Sequence, residues 1–304
     1  MRRDHVPEVI AVDDLPDHAF DALTSKRPAI AGMGMGVPRI MGILNTTPDS
    51  FSDGGKHTTT DDAVSAGCEM VTEGADILDI GGESTRPGAL AVAVEEEIRR
   101  TAPVIAGLRT AGVTVPISID TRKAAVAEAA LDAGATLVND VAGFTYDNAL
   151  APLCANRSVP VCVMHALGDP ATMQQDPKYD NVALDVFDFL QKRIAALEAV
   201  GVARSSIIAD PGIGFGKTQT HNLALLARLS LFHSLGVPIL LGASRKRFIG
   251  TIGRADVASD RAPGSIGVAL AALAHGVQVL RVHDVAQTRQ AIALWRAAMT
   301  GISA

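Results

Sequence analysis

From about residue 40 to the C-terminus the chain repeats one unit: a short apolar run, a polar loop, an alanine-rich helical stretch, then the next apolar run. The runs fall at residues 40–45, 77–80, 116–120, 137–139, 161–164, 207–210, 238–243 and 279–283. They are nearly continuous in apolar residues, which suits parallel strands covered on both faces, since a strand with one face in water would alternate. Helical patterns fill the intervals, among them residues 60–73, 122–133, 182–200 and 284–299. This is an α/β pattern, and eight such units predict a (β/α)8 TIM barrel. A doubly wound open sheet uses the same units and stays open as the alternative.

Length alone, 304 residues, would suggest about two domains of ~150 residues each. No low-complexity linker interrupts the chain after residue 37, so residues 38–304 are expected to form one barrel domain. Residues 1–37 show no sustained period and are expected to be an irregular N-terminal extension, laid on the surface or partly disordered.

Several classes of function are disfavoured. Lys and Arg number 27 against 33 Asp and Glu, a formal charge of −6 with no basic block, which gives a nucleic-acid backbone nothing to grip. The cluster Arg245, Lys246, Arg247 is large enough for one small anion. The 3 cysteines lack CxxC spacing, and an odd count argues against a disulfide scaffold. No apolar run reaches membrane-spanning length, and the acidic, proline-broken start is unlike a signal peptide. A cytoplasmic enzyme with no membrane partner is the expectation.

Polar residues stand at the same end of the apolar runs. They are Asn45, the glycine-bearing loop at residues 81–86, Asp120, Asn139, His165, Asp210, residues 244–246, and Arg281 with His283. One such residue is unremarkable, because Asp and Asn often cap the helix that follows. Two-residue periodicity adds weight: Asn45 shares a face with Ile43, Asp210 with Ile208, and His283 with Arg281 and Val279. In a βα barrel the C-terminal strand ends meet at one mouth, where active sites are built. Asp120, Asp210 and Asn139 can accept the N–H groups of a flat nitrogen heterocycle. Arg281, His283, Lys246 and Arg86 read as cationic donors for phosphate or diphosphate. The loops at residues 52–55 and 81–88 could close over an anion.

Several single residues keep two readings. Lys217 tempts a phosphate-loop assignment, but GxxxxGK[ST] needs glycine where Pro211 stands. Gly32, Gly34 and Gly36 fail the dinucleotide pattern, because Val37 replaces the last glycine. Asp284 opens a capping box, Asp284-Val285-Ala286-Gln287, and reads as structural; Asp140 reads as a cap or loop anchor. Asp79, inside an apolar strand, is open between structural hydrogen bonding and loop support. His165 is open between a satisfied mouth residue and a ligand.

These residues resemble one family. Asn45-Thr46-Thr47-Pro48-Asp49-Ser50-Phe51-Ser52-Asp53-Gly54-Gly55 is similar to the first signature of dihydropteroate synthases, and Gly81-Gly82-Glu83-Ser84-Thr85-Arg86-Pro87-Gly88 to the second. The resemblance continues in order through Ser118-Ile119-Asp120-Thr121, Asn139-Asp140, Met164-His165, residues 210–217, Ser244-Arg245-Lys246 and Arg281-Val282-His283-Asp284. It implies condensation of 6-hydroxymethyl-7,8-dihydropterin diphosphate with p-aminobenzoate, releasing diphosphate. By position it implies that Asn45 is the Mg2+ ligand, and that Thr85, Arg86, Arg281 and His283 meet the diphosphate. Asp120, Asn139, Asp210 and Lys246 would form the pterin pocket, with Asp120, Asp210 and Lys246 carrying the chemistry. Phe215 and Met164 would be its apolar walls, and Ser244 would lie near p-aminobenzoate. It also implies a homodimer through the last helices, with which the alanine-rich stretches at residues 269–274 and 291–298 are compatible. One departure stands out: some relatives carry Ser where Arg247 stands, which leaves the contact to the p-aminobenzoate carboxylate open. Two alternatives belong to other classes. A corrinoid-linked methyltransferase would have no use for the diphosphate set, and a pterin-binding paralogue without activity should have lost Asn45, Asp53, Thr85 or Arg86.

Overall fold

The computed structural model describes residues 11–47, 60–84, 88–168 and 172–302. The apolar runs become β1 (Arg39–Asn45), β2 (Ile77–Gly81), β3 (Ile117–Asp120), β4 (Leu137–Asp140), β5 (Val161–Met164), β6 (Ile207–Asp210), β7 (Leu240–Leu241) and β8 (Val279–Val282). They pair in the order β6-β5-β4-β3-β2-β1-β8-β7, and every pair is parallel. A single parallel bridge from Ala209 to Ile239 joins the two ends. The sheet is therefore a closed (β/α)8 TIM barrel, and the open sheet is set aside.

Among the described residues ten α-helices accompany the strands. They are α1 (Asp17–Thr24), α2 (Thr60–Thr72), α3 (Val94–Thr110), α4 (Ala124–Asp132), α5 (Leu150–Asn156), α6 (Val182–Ala199), α7 (Gln219–Leu226), α8 (Arg247–Gly253), α9 (Ala262–Ala274) and α10 (Val285–Thr300). Side-chain caps start two of them: Asn181 accepts from the N–H groups of Ala183 and Leu184 ahead of α6, and Thr218 with His221 forms a capping box on α7. Each satisfies orphan donors of the first turn. No described helix is long and apolar enough to cross a membrane.

Three local expectations are corrected. The seventh strand is only Leu240–Leu241, not 238–243: Pro238 has no N–H for a ladder bond, and Arg245 already lies in the left-handed region at φ 58°. The fourth helix starts at Ala124, because Lys123 is extended and its side chain is drawn into ion pairs. The described part of the extension, residues 11–37, carries more regular structure than expected. It forms α1, and Ile30 and Met33 bridge each other through two backbone hydrogen bonds. Ile30 and Met35 are buried with Met41, Ile77, Leu137, Cys162, Ile208, Leu240 and Val279 in one cluster. Ile30 and Met35 thus belong to the core, whereas α1 buries none of its residues and lies on the surface.

That cluster also sets the parity of the barrel interior. Two residues further along the same strands stand Ile43, Asp79, Asn139, Met164, Asp210, Gly242 and Arg281. Alternate residues, such as Leu44, Ile80, Ile119, Val163 and Leu280, face the helices in the larger core. The apolar layer fills the bottom of the barrel and the polar layer lies above it.

Candidate active site

Arg281 is the hub of the polar layer. Its Nε donates to Asp79 Oδ2 at 2.5 Å and its Nη2 to Asp120 Oδ2 at 2.8 Å. Asn139 Nδ2 donates to the same Asp79 oxygen at 3.1 Å. Asp79, Asp120 and Asn139 are all buried, so these charges interact with little solvent screening. Burial pushes the Asp120 carboxyl up to about 7, against the pull of Arg281 and with help from Asp79. Burial likewise disfavours charge on Arg281, but Asp79 and Asp120 more than offset it and hold the guanidinium protonated. Asp79 is therefore a structural hydrogen-bonding residue of the site. Its parity with Ile77 was the available signal.

Asp210 closes the opposite wall. Its Oδ1 accepts from the Gly212 N–H at 2.7 Å, and burial pushes its carboxyl up to about 6 despite that bond and the nearby Arg281, Lys246 and Lys217. The loop beyond it carries buried Phe215, over whose ring the Lys246 ammonium sits 3.9 Å from the centroid. Burial, then Arg281, lowers the Lys246 ammonium to about 8, so it stays largely charged at neutral pH. Phe215 and Met164 cluster with Val141 and Met173, giving a flat apolar wall beside two carboxylates and a carboxamide.

His283 lies just beyond β8, with its Nδ1 3.0 Å from Ser244 Oγ. Burial, with Arg245 and Arg281 close by, lowers its imidazole to about 3. This corrects the cationic reading of His283: at neutral pH it is a neutral donor. Asp284 does not close the expected capping box, since no side-chain cap bond forms; its carboxylate takes the Arg245 guanidinium instead, at 2.5 and 3.1 Å. Asp140 anchors its loop by accepting from the N–H groups of Ala142 and Phe144.

Asn45 is half-buried at the end of β1, in register with Gly81. The adjoining Thr46 fixes the strand end by bonding the Gly81 carbonyl through both its N–H and its hydroxyl. Thr85 and Arg86, with Asp53, lie outside the described residues. The mouth thus gathers Asp120, Asn139 and Arg281 around Asp79, with Lys246 over Phe215 and Ser244 paired with His283; a hollow lined by Asp120, Phe215, Val141 and Met173 opens beside them.

One group escaped the sequence reading entirely. Lys123 Nζ donates to Glu83 Oε2 at 2.7 Å, to Glu97 Oε2 at 2.6 Å and to the Val92 carbonyl at 2.7 Å. Arg122 Nε reaches the other Glu83 oxygen at 2.9 Å, and the Thr121 hydroxyl donates to Glu97 at 2.7 Å. Burial works to raise the Glu83 carboxyl, but Lys123, the Val92 N–H and Arg122 hold it below its ordinary range. This brace ties the start of the second glycine loop to α3 and α4. No spacing in the sequence marks it.

The family described as pterin binding enzyme matches residues 41–283. The chain is similar to the dihydropteroate synthase of Escherichia coli (strain K12), 44% identical over 263 residues, which are 86% of this chain and 92% of that protein. Among solved structures it is similar to Xanthomonas albilineans dihydropteroate synthase with 4-aminobenzoic acid, at 46% identity and a TM-score of 0.84 over 91% of this chain and 99% of that one. It is also similar to the same enzyme in complex with 7,8-dihydropteroate, at 43% identity and a TM-score of 0.82 over 90% of this chain and 99% of that one. The chain belongs to the pterin-binding enzyme family and, within it, to the dihydropteroate synthases.

Proposed function

We propose that this enzyme, a transferase of folate biosynthesis, condenses 6-hydroxymethyl-7,8-dihydropterin diphosphate with p-aminobenzoate, giving 7,8-dihydropteroate and diphosphate. The observation that carries it is the pairing of buried Asp120, Asn139 and Asp210 with the Phe215 wall under Lys246. The pterin ring lies in that hollow, its N–H groups donating to Asp120 and Asp210, with Asn139 completing the edge. The methylene C–O bond breaks as diphosphate departs toward Arg281, neutral His283, Thr85 and Arg86. The two carboxylates stabilise the positive charge that spreads into the pterin. The amine of p-aminobenzoate, bound near Ser244, then forms the C–N bond and releases its proton to solvent or to diphosphate.

Mg2+ is part of the proposal. Among the described residues no three His, Cys, Asp or Glu side chains converge into a metal cage. Asn45 offers one oxygen at the mouth. Mg2+ keeps several waters and prefers one or two protein ligands with substrate phosphates, so a single carboxamide beside a diphosphate suits it. Bound there, the ion would neutralise charge developing on the leaving diphosphate. A cytoplasmic location is supported by the three free cysteines, of which Cys154 and Cys162 are buried. A homodimer through the last helices is supported by Leu294 and Met299 of α10 and Ile302 just beyond it, which are 68%, 68% and 71% exposed.

The test is diphosphate release by the purified protein. Release is expected only with both substrates and Mg2+, and Asn45→Ala should need a much higher Mg2+ concentration. Release without p-aminobenzoate would refute the condensation, and full activity in excess chelator would remove the metal assignment.

A further inference from the structure

Lys217 has no role in the chemistry above, yet it is one of the most enclosed charged side chains of the protein, 3% exposed. Its Nζ donates to the carbonyls of Gly212, Phe215 and His165 at 2.9, 3.0 and 3.3 Å, and lies 2.8 Å from His165 Nδ1. Burial lowers the Lys217 ammonium to about 7; in its charged form it only donates, and His165 then accepts at Nδ1 with its proton on Nε2. His165 is therefore a satisfied residue, packed edge-on to Phe189 at 4.8 Å.

The same loop is held from behind at its other carbonyls. Tyr179 Oη donates to Gly216 O at 2.8 Å and Gln174 Nε2 to Gly214 O at 2.6 Å. The backbone can turn its carbonyls inward only because it takes left-handed conformations. Gly212 and Gly216 stand at φ 69° and 63°, and a Cβ on Gly212 would sit 1.9 Å from the His165 carbonyl oxygen. With its carbonyls turned inward, the loop shows the mouth the Phe215 ring and the Gly212 N–H that holds Asp210.

We propose that Lys217 and Tyr179 are positioning residues for pterin binding, gripping residues 211–216 from behind so that Phe215 and Asp210 meet the pterin ring in fixed register. This rests on the pterin-binding function proposed above. Four acceptors converge on one point, among which the three N–H groups of a compact ammonium can be shared, whereas the fixed planar fork of a guanidinium does not match that convergence.

The test uses the full-length protein with bare pterin in calorimetry, and both substrates in steady-state kinetics. Lys217→Met is expected to weaken pterin binding by ~10-fold or more, the scale of one or two lost hydrogen bonds to a charged group. It should raise KM for the pterin diphosphate in parallel and leave KM for p-aminobenzoate unchanged. Lys217→Arg should fail to restore it. Tyr179→Phe deletes one hydroxyl of a half-buried residue and should show the same split at several-fold; it carries the test if Lys217→Met does not fold. Native pterin affinity in the folded variants would overturn the proposal, as would equal losses for both substrates. Absence of pterin binding by the native protein would instead overturn the function on which it rests.

Discussion

Asp120 and Asp210 sit where burial makes ionisation costly, and the proposed pterin contacts need them ionised. For Asp210 the folded value of about 6 lies above the ordinary 3.8, so between them the folded protein holds more protons than the unfolded chain. The contribution to stability is then full below about 4 and is lost as pH rises through about 6. In the proposed binding mode pterin affinity has the opposite sign, because the ring would donate to the anion. Affinity for bare pterin should rise ~10-fold from pH 5 to pH 7 by titration of this one group, with Asp120 steepening the change. Calorimetry across that range checks it, and a flat profile would exclude ionised Asp210 as the anchor. Arg281 and His283 look alike in sequence, two apart on one strand, but the structure separates them. Arg281 already neutralises Asp79 and Asp120, so Arg281→Ala strands two buried carboxylates. It should cost ~3–5 kcal/mol of stability and weaken bare pterin as well as pterin diphosphate. His283→Ala should leave bare pterin binding near native and weaken pterin diphosphate alone, by ~1.5–3 kcal/mol. Thermal denaturation with calorimetry on both ligands distinguishes them, and matching losses in His283→Ala would make it a pocket-organising residue.

The strands were legible because a buried parallel strand has one requirement, apolar residues throughout, and seven of the eight runs end within one residue of the structural strands. The exception is the run at 238–243, which contains Pro238 and Gly242, residues that an apolar count passes over, and of which only Leu240–Leu241 is strand. Strand ends were legible for the same reason: a polar residue closing an apolar run is conspicuous, and parity assigns it inward. What parity cannot supply is the partner. Asp284 stands in a capping-box pattern, yet its carboxylate goes to Arg245, 39 positions away, because a charged, half-buried guanidinium competes more strongly than a backbone N–H. The Glu83–Lys123–Glu97 brace and the convergence of carbonyls on Lys217 join loops from different βα units. Each depends on how far successive units rotate about the barrel, which no local spacing encodes.

A barrel has two ends, and the chemistry occupies only one. At the other, the strands begin beneath a layer of Met41, Ile77, Leu137, Cys162, Ile208, Leu240 and Val279, and something must cover it. Residues 30–35 do so, with Ile30 1% and Met35 6% exposed. They are held by the Ile30–Met33 bridge, while upstream Arg27 Nη2 donates to the carbonyls of Ala22 and His233. In a TIM barrel the bottom face serves stability and the top face serves catalysis, so damage here should be confined to folding. Ile30→Ala removes a fully enclosed side chain and leaves a cavity that the rigid strands above cannot fill; the cost should be ~2–5 kcal/mol. The denaturation midpoint in urea should fall accordingly, while KM for pterin diphosphate in the folded enzyme stays at the native value. A truncation that starts at residue 37 should be far worse than one that starts at residue 28, because only the former uncovers the bottom layer. Equal stability of the two truncations would mean that residues 30–35 lie on the barrel without closing it. A raised KM in Ile30→Ala would mean instead that strain at the bottom travels up the strands to Asp79 and Arg281, and that the two ends are not independent.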